Sequence, residues 1–302
     1  MKILLPGIFA TLLTFGAQAK LNVVVTTPDL ASIAREVGGD KIDITTLARP
    51  TEDPHFVDAK PGFIVKLNRA DALIEGGAEL EIGWLPPLLA GARNTKINPG
   101  APGRILCNQG ITMLEVPEKL DRSRGDLHAA GNPHFAIDPE NARIIAAHIA
   151  SAFSRIDAPN SAVYAANGRK FTDALEKKLV EWKATLAPFK GAQIVAYHNS
   201  WRYFAERYGL KIEIFLEPKP GIPPSAAHLA QVISRMKSSG ARVVLVDPYL
   251  NRKTAETVSA QTGAQVVDVT QFPGGVKGTE GGYIALQDYL VNSIAKALNP
   301  NK

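Results

Sequence analysis

NSAVYAANGRKFTDALEKKLVEWKATLA, residues 160–187, decides how this chain is organised. Val163, Phe171, Leu175, Leu179, Trp182 and Leu186 fall mostly at i, i+4 and i+7 intervals, the period of one helical face. The stretch holds few breakers, and Pro188 ends it. At 1.5 Å per residue the helix would be about 40 Å long. That is long for one globular helix and suits a backbone helix joining two lobes.

Outward from this helix, both sides alternate strands and helices. On the N-terminal side, residues 21–27 read as a β-branched strand and residues 31–37 as a helix closed by Gly38-Gly39. Residues 42–47 form a second strand, 61–67 a short helix, 72–77 a strand, 80–90 a helix, 104–107 a strand and 139–154 a helix. On the C-terminal side, strands at 193–197, 212–216, 242–246 and 265–269 alternate with helices at 201–208, 226–238, 252–262 and 283–298. Such alternation implies parallel sheets covered by helices. The fold class is therefore α/β: two β/α lobes with mostly parallel sheets, joined by one long backbone helix. The expected division is a leader at 1–19, an N-terminal lobe at 20–158, the linking helix at 159–188 and a C-terminal lobe at 189–302.

The leader has the parts of a secretory signal. Lys2 gives the positive start, residues 3–15 are apolar, and Ala17-Gln18-Ala19 fits the small-x-small cleavage pattern. The apolar run is too short for a permanent membrane span. Export to a periplasm, with no membrane insertion after cleavage, is expected. The single cysteine, Cys107, cannot form an intrachain bridge and reads as a buried small hydrophobe. Net charge is +5, with no Lys/Arg run longer than two and no basic-aromatic interleaving, so a nucleic-acid partner is not expected.

The chemistry is concentrated in histidines. The chain has six, and two stand in the same local frame: Asp53-Pro54-His55-Phe56-Val57-Asp58 and Asn132-Pro133-His134-Phe135-Ala136-Ile137-Asp138. A neutral imidazole is the commonest protein ligand for transition metals. A preceding proline stiffens the loop, and a nearby carboxylate is a candidate to orient the ring. His198 ends the first strand of the second lobe. Ligands of open parallel sheets gather outside the carboxyl ends of the strands, so His55, His134 and His198 would meet in the cleft between lobes. A lone loop histidine is more often a surface residue, and from the residues alone both readings stand. His148 and His228, inside helices, read as structural. His128, in the polar loop 115–133 with Asp121, Arg122, Arg124 and Asp126, reads as a surface residue or a transient metal catcher.

The ordered set resembles a known family. It comprises Asp53-Pro54-His55, Asn132-Pro133-His134 with Asp138-Pro139, and Tyr197-His198-Asn199-Ser200-Trp201-Arg202-Tyr203-Phe204. Glu217-Pro218, Asp247-Pro248-Tyr249 and a glycine-rich loop before the last helix complete it. The chain is similar, over essentially all of its mature length, to the substrate-binding proteins of bacterial zinc and manganese ABC importers. The resemblance implies that His55, His134 and His198 coordinate the ion and that a membrane ABC permease is the partner. Manganese-preferring members often carry glutamate at the third position; histidine there favours Zn²⁺ over Mn²⁺ by ligand softness. The family's fourth ligand is an acid in the loop before the last helix. Here that loop reads Gly278-Thr279-Glu280-Gly281-Gly282, so Glu280 is the nearest substitute, with Asp247, Asp268 or a water as alternatives. A monomer with limited lobe motion is expected. The competing classes are a secreted zinc hydrolase, which lacks any His-Glu-x-x-His helix, and a metal-binding adhesin.

Overall fold

The computed structural model describes residues 19–119 and 128–299. The expected signal, apart from Ala19, lies outside the described residues, as do Asp121, Arg122, Arg124 and Asp126 of the polar loop.

Val23, Val24 and Val25 are all fully buried, as befits a parallel strand covered on both faces. They belong to β1 (Leu21–Val25), which pairs in parallel with β2 (Ile42–Thr46) and β3 (Ala72–Glu75); β4 (Arg104–Leu106) completes a sheet of order β2-β1-β3-β4. The second lobe repeats the plan with β5 (Gln193–Ala196), β6 (Lys211–Phe215), β7 (Val243–Val246) and β8 (Gln265–Asp268), in the order β6-β5-β7-β8, again all parallel. In both sheets the chain winds outward in both directions from its first strand. The carboxyl ends of all eight strands are thus the natural place for a site.

The helices of the first lobe are α1 (Pro28–Gly38), α2 (Pro61–Asn68), α3 (Leu85–Ala92) and α4 (Pro139–Ile156). The linking helix α5 runs Ser161–Leu186 and is extended by a 3-10 turn, Ala187–Phe189. The second lobe adds α6 (Arg202–Tyr208), α7 (Ala226–Ser239), α8 (Arg252–Thr262) and α9 (Tyr283–Leu298). The buried face of α5 is Tyr164, Gly168, Phe171, Leu175, Leu179, Trp182 and Leu186; Val163, on that face by spacing, is 36% exposed, and Tyr164 takes its place. α5 packs on α4, α1 and α9, and one core reaches through these helices to both sheets.

One expected helix starts late. Residues 80–90 were expected to be helical, but α3 begins at Leu85, with prolines in its first turn where a missing N–H costs nothing. Before it, Ala78 and Glu79 take left-handed backbone angles, φ +52° and +67°, which no helix can continue. The tight loop they form turns Glu81 inward, where its carboxylate accepts from Thr26 Oγ1 (2.7 Å), the Gly76 N–H (2.7 Å) and the Gly77 N–H (3.2 Å). This loop supports the first histidine turn: the Trp84 indole donates to the Pro54 carbonyl at 2.9 Å.

Candidate metal centre

His55 sits in the loop after β2. The Asp53 carboxylate accepts the His55 backbone N–H at 2.9 Å, closing an Asx-turn across Pro54. The same oxygen lies 2.9 Å from the ring Nδ1. An ionised carboxylate only accepts, so Nδ1 carries the proton and Nε2 keeps its lone pair for a metal. Burial would raise Asp53, but the hydrogen bonds from the ring and backbone of His55 outweigh it and hold the acid below its usual value.

His134 is placed by the same device. Asn132 Oδ1 accepts the His134 N–H at 3.0 Å, and the chain passes through a 3-10 turn, Phe135–Ile137, into α4. Asp138 caps α4 by accepting the Glu140 N–H and is held by a two-pronged ion pair with Arg207, both contacts 2.7 Å. His134 is buried, and its Nε2 has no hydrogen-bond partner. Leaving a buried polar atom unsatisfied costs about 1–3 kcal/mol, a cost that a bound cation removes. Burial first, then the neighbouring imidazoles, push His134 well below the usual histidine range, so it stays neutral and can donate its lone pair.

His198 lies two residues past β5. Its Nδ1 is 2.8 Å from Glu217 Oε2, just past β6. The parallel pairing of β5 and β6 carries on through a Glu217 N–H to Tyr197 carbonyl bond of 3.0 Å, which brings acid and ring together.

The structure thus brings His55, His134 and His198 together, with ligand atoms all within 4.8 Å of one another. Their ring centres are 5.0 Å (His55–His134), 5.5 Å (His55–His198) and 5.4 Å (His134–His198) apart. Zn–N bonds of about 2.0–2.1 Å, a nitrogen-to-centre distance of about 1.1 Å and tetrahedral angles give ring centres about 5.2 Å apart. The observed spacings already bracket that figure. A cavity of about 60 Å³ opens among His128, His134, His198, Glu115, Asn132 and Asn199, room for an ion and a water.

None of the three candidate acids joins the group. Glu280 is exposed, and its carboxylate accepts the Gly278 N–H of its own loop at 2.8 Å. Asp268 is exposed and ion-paired with Arg252. Asp247 is buried and accepts from the Trp201 indole at 3.3 Å; burial pushes it up to about 7, partly offset by that bond and by the nearby His198. Of the nearby aspartates, Asp58 is exposed and Asp138 serves α4. Asp53 and Glu217 stand on the rings instead. His148 lies in α4, and His228 in α7 bonds the Phe215 carbonyl at 3.2 Å; both are away from the group.

The lobes are tied across the cleft. Tyr203 donates to the Asn132 carbonyl (2.8 Å) and accepts the Leu114 N–H (3.0 Å), and Tyr283 donates to the Ala136 carbonyl (2.7 Å). Among the described residues no helix is long and apolar enough to cross a membrane.

Comparison with known proteins agrees with this architecture. The model of the ZnuA family, described as the periplasmic component A of a zinc-uptake complex, matches residues 23–297. The manganese ABC transporter substrate-binding lipoprotein PsaA of Streptococcus mitis is 25% identical over 92% of this chain and 89% of its own. The iron-binding protein YfeA of Yersinia pestis is 28% identical over 92% and 86%. A crystal structure of ZnuA superposes with a TM-score of 0.78 at 27% identity, covering 92% of this chain and 99% of that one. A zinc-bound ZnuA deletion mutant does so at 0.77 with the same identity, covering 92% and 98%. The family consists of substrate-binding receptors, which sets the hydrolase alternative aside. The chain belongs to the ZnuA family and is a metal-binding substrate-binding protein of an ABC transporter, the component that works with a membrane permease and its ATPase.

Proposed function

We propose that this protein captures Zn²⁺ in the cleft with His55, His134 and His198 and hands it to the permease. It acts in the periplasm as a monomer, after removal of the leader 1–19. The carrying observation is the donor set: three imidazoles at near-tetrahedral spacing, two of them with Nδ1 held by a carboxylate. Relatives carry the names of manganese, iron and zinc receptors, so the donors must discriminate. Neutral nitrogen ligands rank Zn²⁺ above Mn²⁺ and Fe²⁺, whereas manganese favours carboxylate oxygen. The ties across the cleft and the rigid α5 support release by small local movements rather than wide opening.

Competitive titration of the metal-free protein with Zn²⁺, Mn²⁺ and Fe²⁺ tests the reading. Zinc should bind tightest, one ion per chain, and His55→Ala, His134→Ala or His198→Ala should each abolish tight binding. Manganese binding as tight as zinc, or full zinc affinity in all three variants, would overturn it.

A further inference from the structure

Three imidazoles leave one corner of a tetrahedron open, and among the described residues no carboxylate oxygen lies within 4.8 Å of all three. We propose that His128 supplies the fourth ligand, making an all-nitrogen site that selects zinc; this rests on the three-histidine reading above. The His128 ring centre is 5.3 Å from that of His55, next to the group whose ligand atoms lie within 4.8 Å of one another but not yet one of its members. It lines the same small cavity as His134 and His198.

The backbone holds His128 at this place. The His128 carbonyl accepts the Gly131 N–H at 3.1 Å in a tight turn, and Gly131 has φ +101°, a conformation that side chains resist. The next residue, Ala129, donates its N–H to Glu79 at 2.6 Å. The main chain is therefore pinned, and only the side chain has to move. Its plane lies 31° from that of His55, whereas the other three ring pairs cross at 65° to 84°. His128 leans over His55 and must turn about its side-chain torsions to aim a nitrogen at the ion. Its nearest rival on the cavity wall is Glu115. That carboxylate accepts from the Asn132 amide (2.9 Å) and the Asn199 amide (2.8 Å), both on Oε2.

Replacing oxygen by nitrogen in the fourth position widens the margin between Zn²⁺ and Mn²⁺. The test uses Co²⁺ as a spectroscopic stand-in for zinc, with zinc affinity measured in parallel. His128→Ala should weaken zinc about tenfold or more, since even outer-shell partners of a metal are worth 10- to 100-fold. It should also change the intense visible bands of four-coordinate Co²⁺ and remove one nitrogen from the zinc X-ray absorption shell. His128→Asp should restore a four-coordinate spectrum while narrowing the zinc-to-manganese preference. An unchanged spectrum and zinc affinity in His128→Ala overturn the proposal. If His134→Ala abolishes binding in the same series, the three-histidine site stands and only the fourth ligand falls; if it too binds normally, both fall.

Discussion

The turns Asp53-Pro54-His55-Phe56 and Asn132-Pro133-His134-Phe135 close on the same hydrogen bond, side-chain Oδ1 to histidine N–H, yet they lie in opposite surroundings. In the first, Phe56 is 65% exposed and the turn rests on the loop that carries Glu81. In the second, Phe135 is 1% exposed and packs edge-on to Tyr203. Asp53 spends its remaining capacity on its own histidine ring, whereas Asn132 sends its amide to Glu115 and to the Asn199 carbonyl across the cleft. One local motif therefore presents two rings, and the neighbourhood decides how each is made ready. His55 is oriented by a charge; His134 is kept neutral by burial.

The sharpest break in the comparison is the phenylalanine. Phe135→Ala should cost about 3–5 kcal/mol of stability, the usual loss for a buried aromatic. Phe56→Ala should stay within about 0.5 kcal/mol of the parent. Denaturant midpoints of the metal-free proteins measure both, and similar losses would mean that the turns are not in different surroundings.

Much of this was legible in the residues. The two lobes and α5 follow from periodicity, and the two histidine loops from a repeated Pro-His-Phe pattern. What escaped depends on pairing or on backbone angles that residue types do not announce. Glu217 lies 19 residues from His198 and meets it only because β5 and β6 are neighbours; an acid just past the strand beside β5 was the available signal. Nothing in Ala78-Glu79 signals left-handed angles, so α3 was expected too early. Glu280 was placed by analogy of position, but position does not fix aim, and the Gly278 N–H captures its carboxylate.

The ground beneath the two turns differs in charge, which should show as pH dependence. Burial, with the charge of Glu75, raises Glu81 from 4.5 to about 7. The folded state then holds a proton that the unfolded chain has released. Glu81 thus favours the fold fully below 4.5, and that support is lost as pH rises to about 7. Asp29, raised by burial to about 6, adds in the same direction. The Glu81 contribution is at most on the order of 3 kcal/mol. Glu81→Gln should flatten the slope of stability against pH in the metal-free protein; an unaltered slope would show that Glu81 is ionised throughout.

Making the second turn acidic should weaken the fold rather than the turn. Asn132→Asp keeps the acceptor for the His134 N–H but replaces a donor that serves Glu115 and Asn199 with an oxygen facing two oxygens. A loss of about 1–3 kcal/mol is expected from the unmet acceptors, read again from the denaturant midpoint. An unchanged midpoint would mean that the tie across the cleft contributes nothing.

The reciprocal change is the mildest and the most informative. Asp53→Asn keeps the turn, because an amide oxygen accepts the His55 N–H as a carboxylate does. What it removes is the carboxylate charge that faces Nδ1–H, and with it the preference for the tautomer that leaves Nε2 free. Stability should hardly move, since Asp53 is 30% exposed at its side chain and its pair with His55 is partly screened. Zinc affinity should fall by about tenfold, the low end for an outer-shell partner. A fall in stability with affinity intact would reverse the roles assigned to the two turns, because Asp53 would then be a structural tie and His55 would need no charge to be aimed.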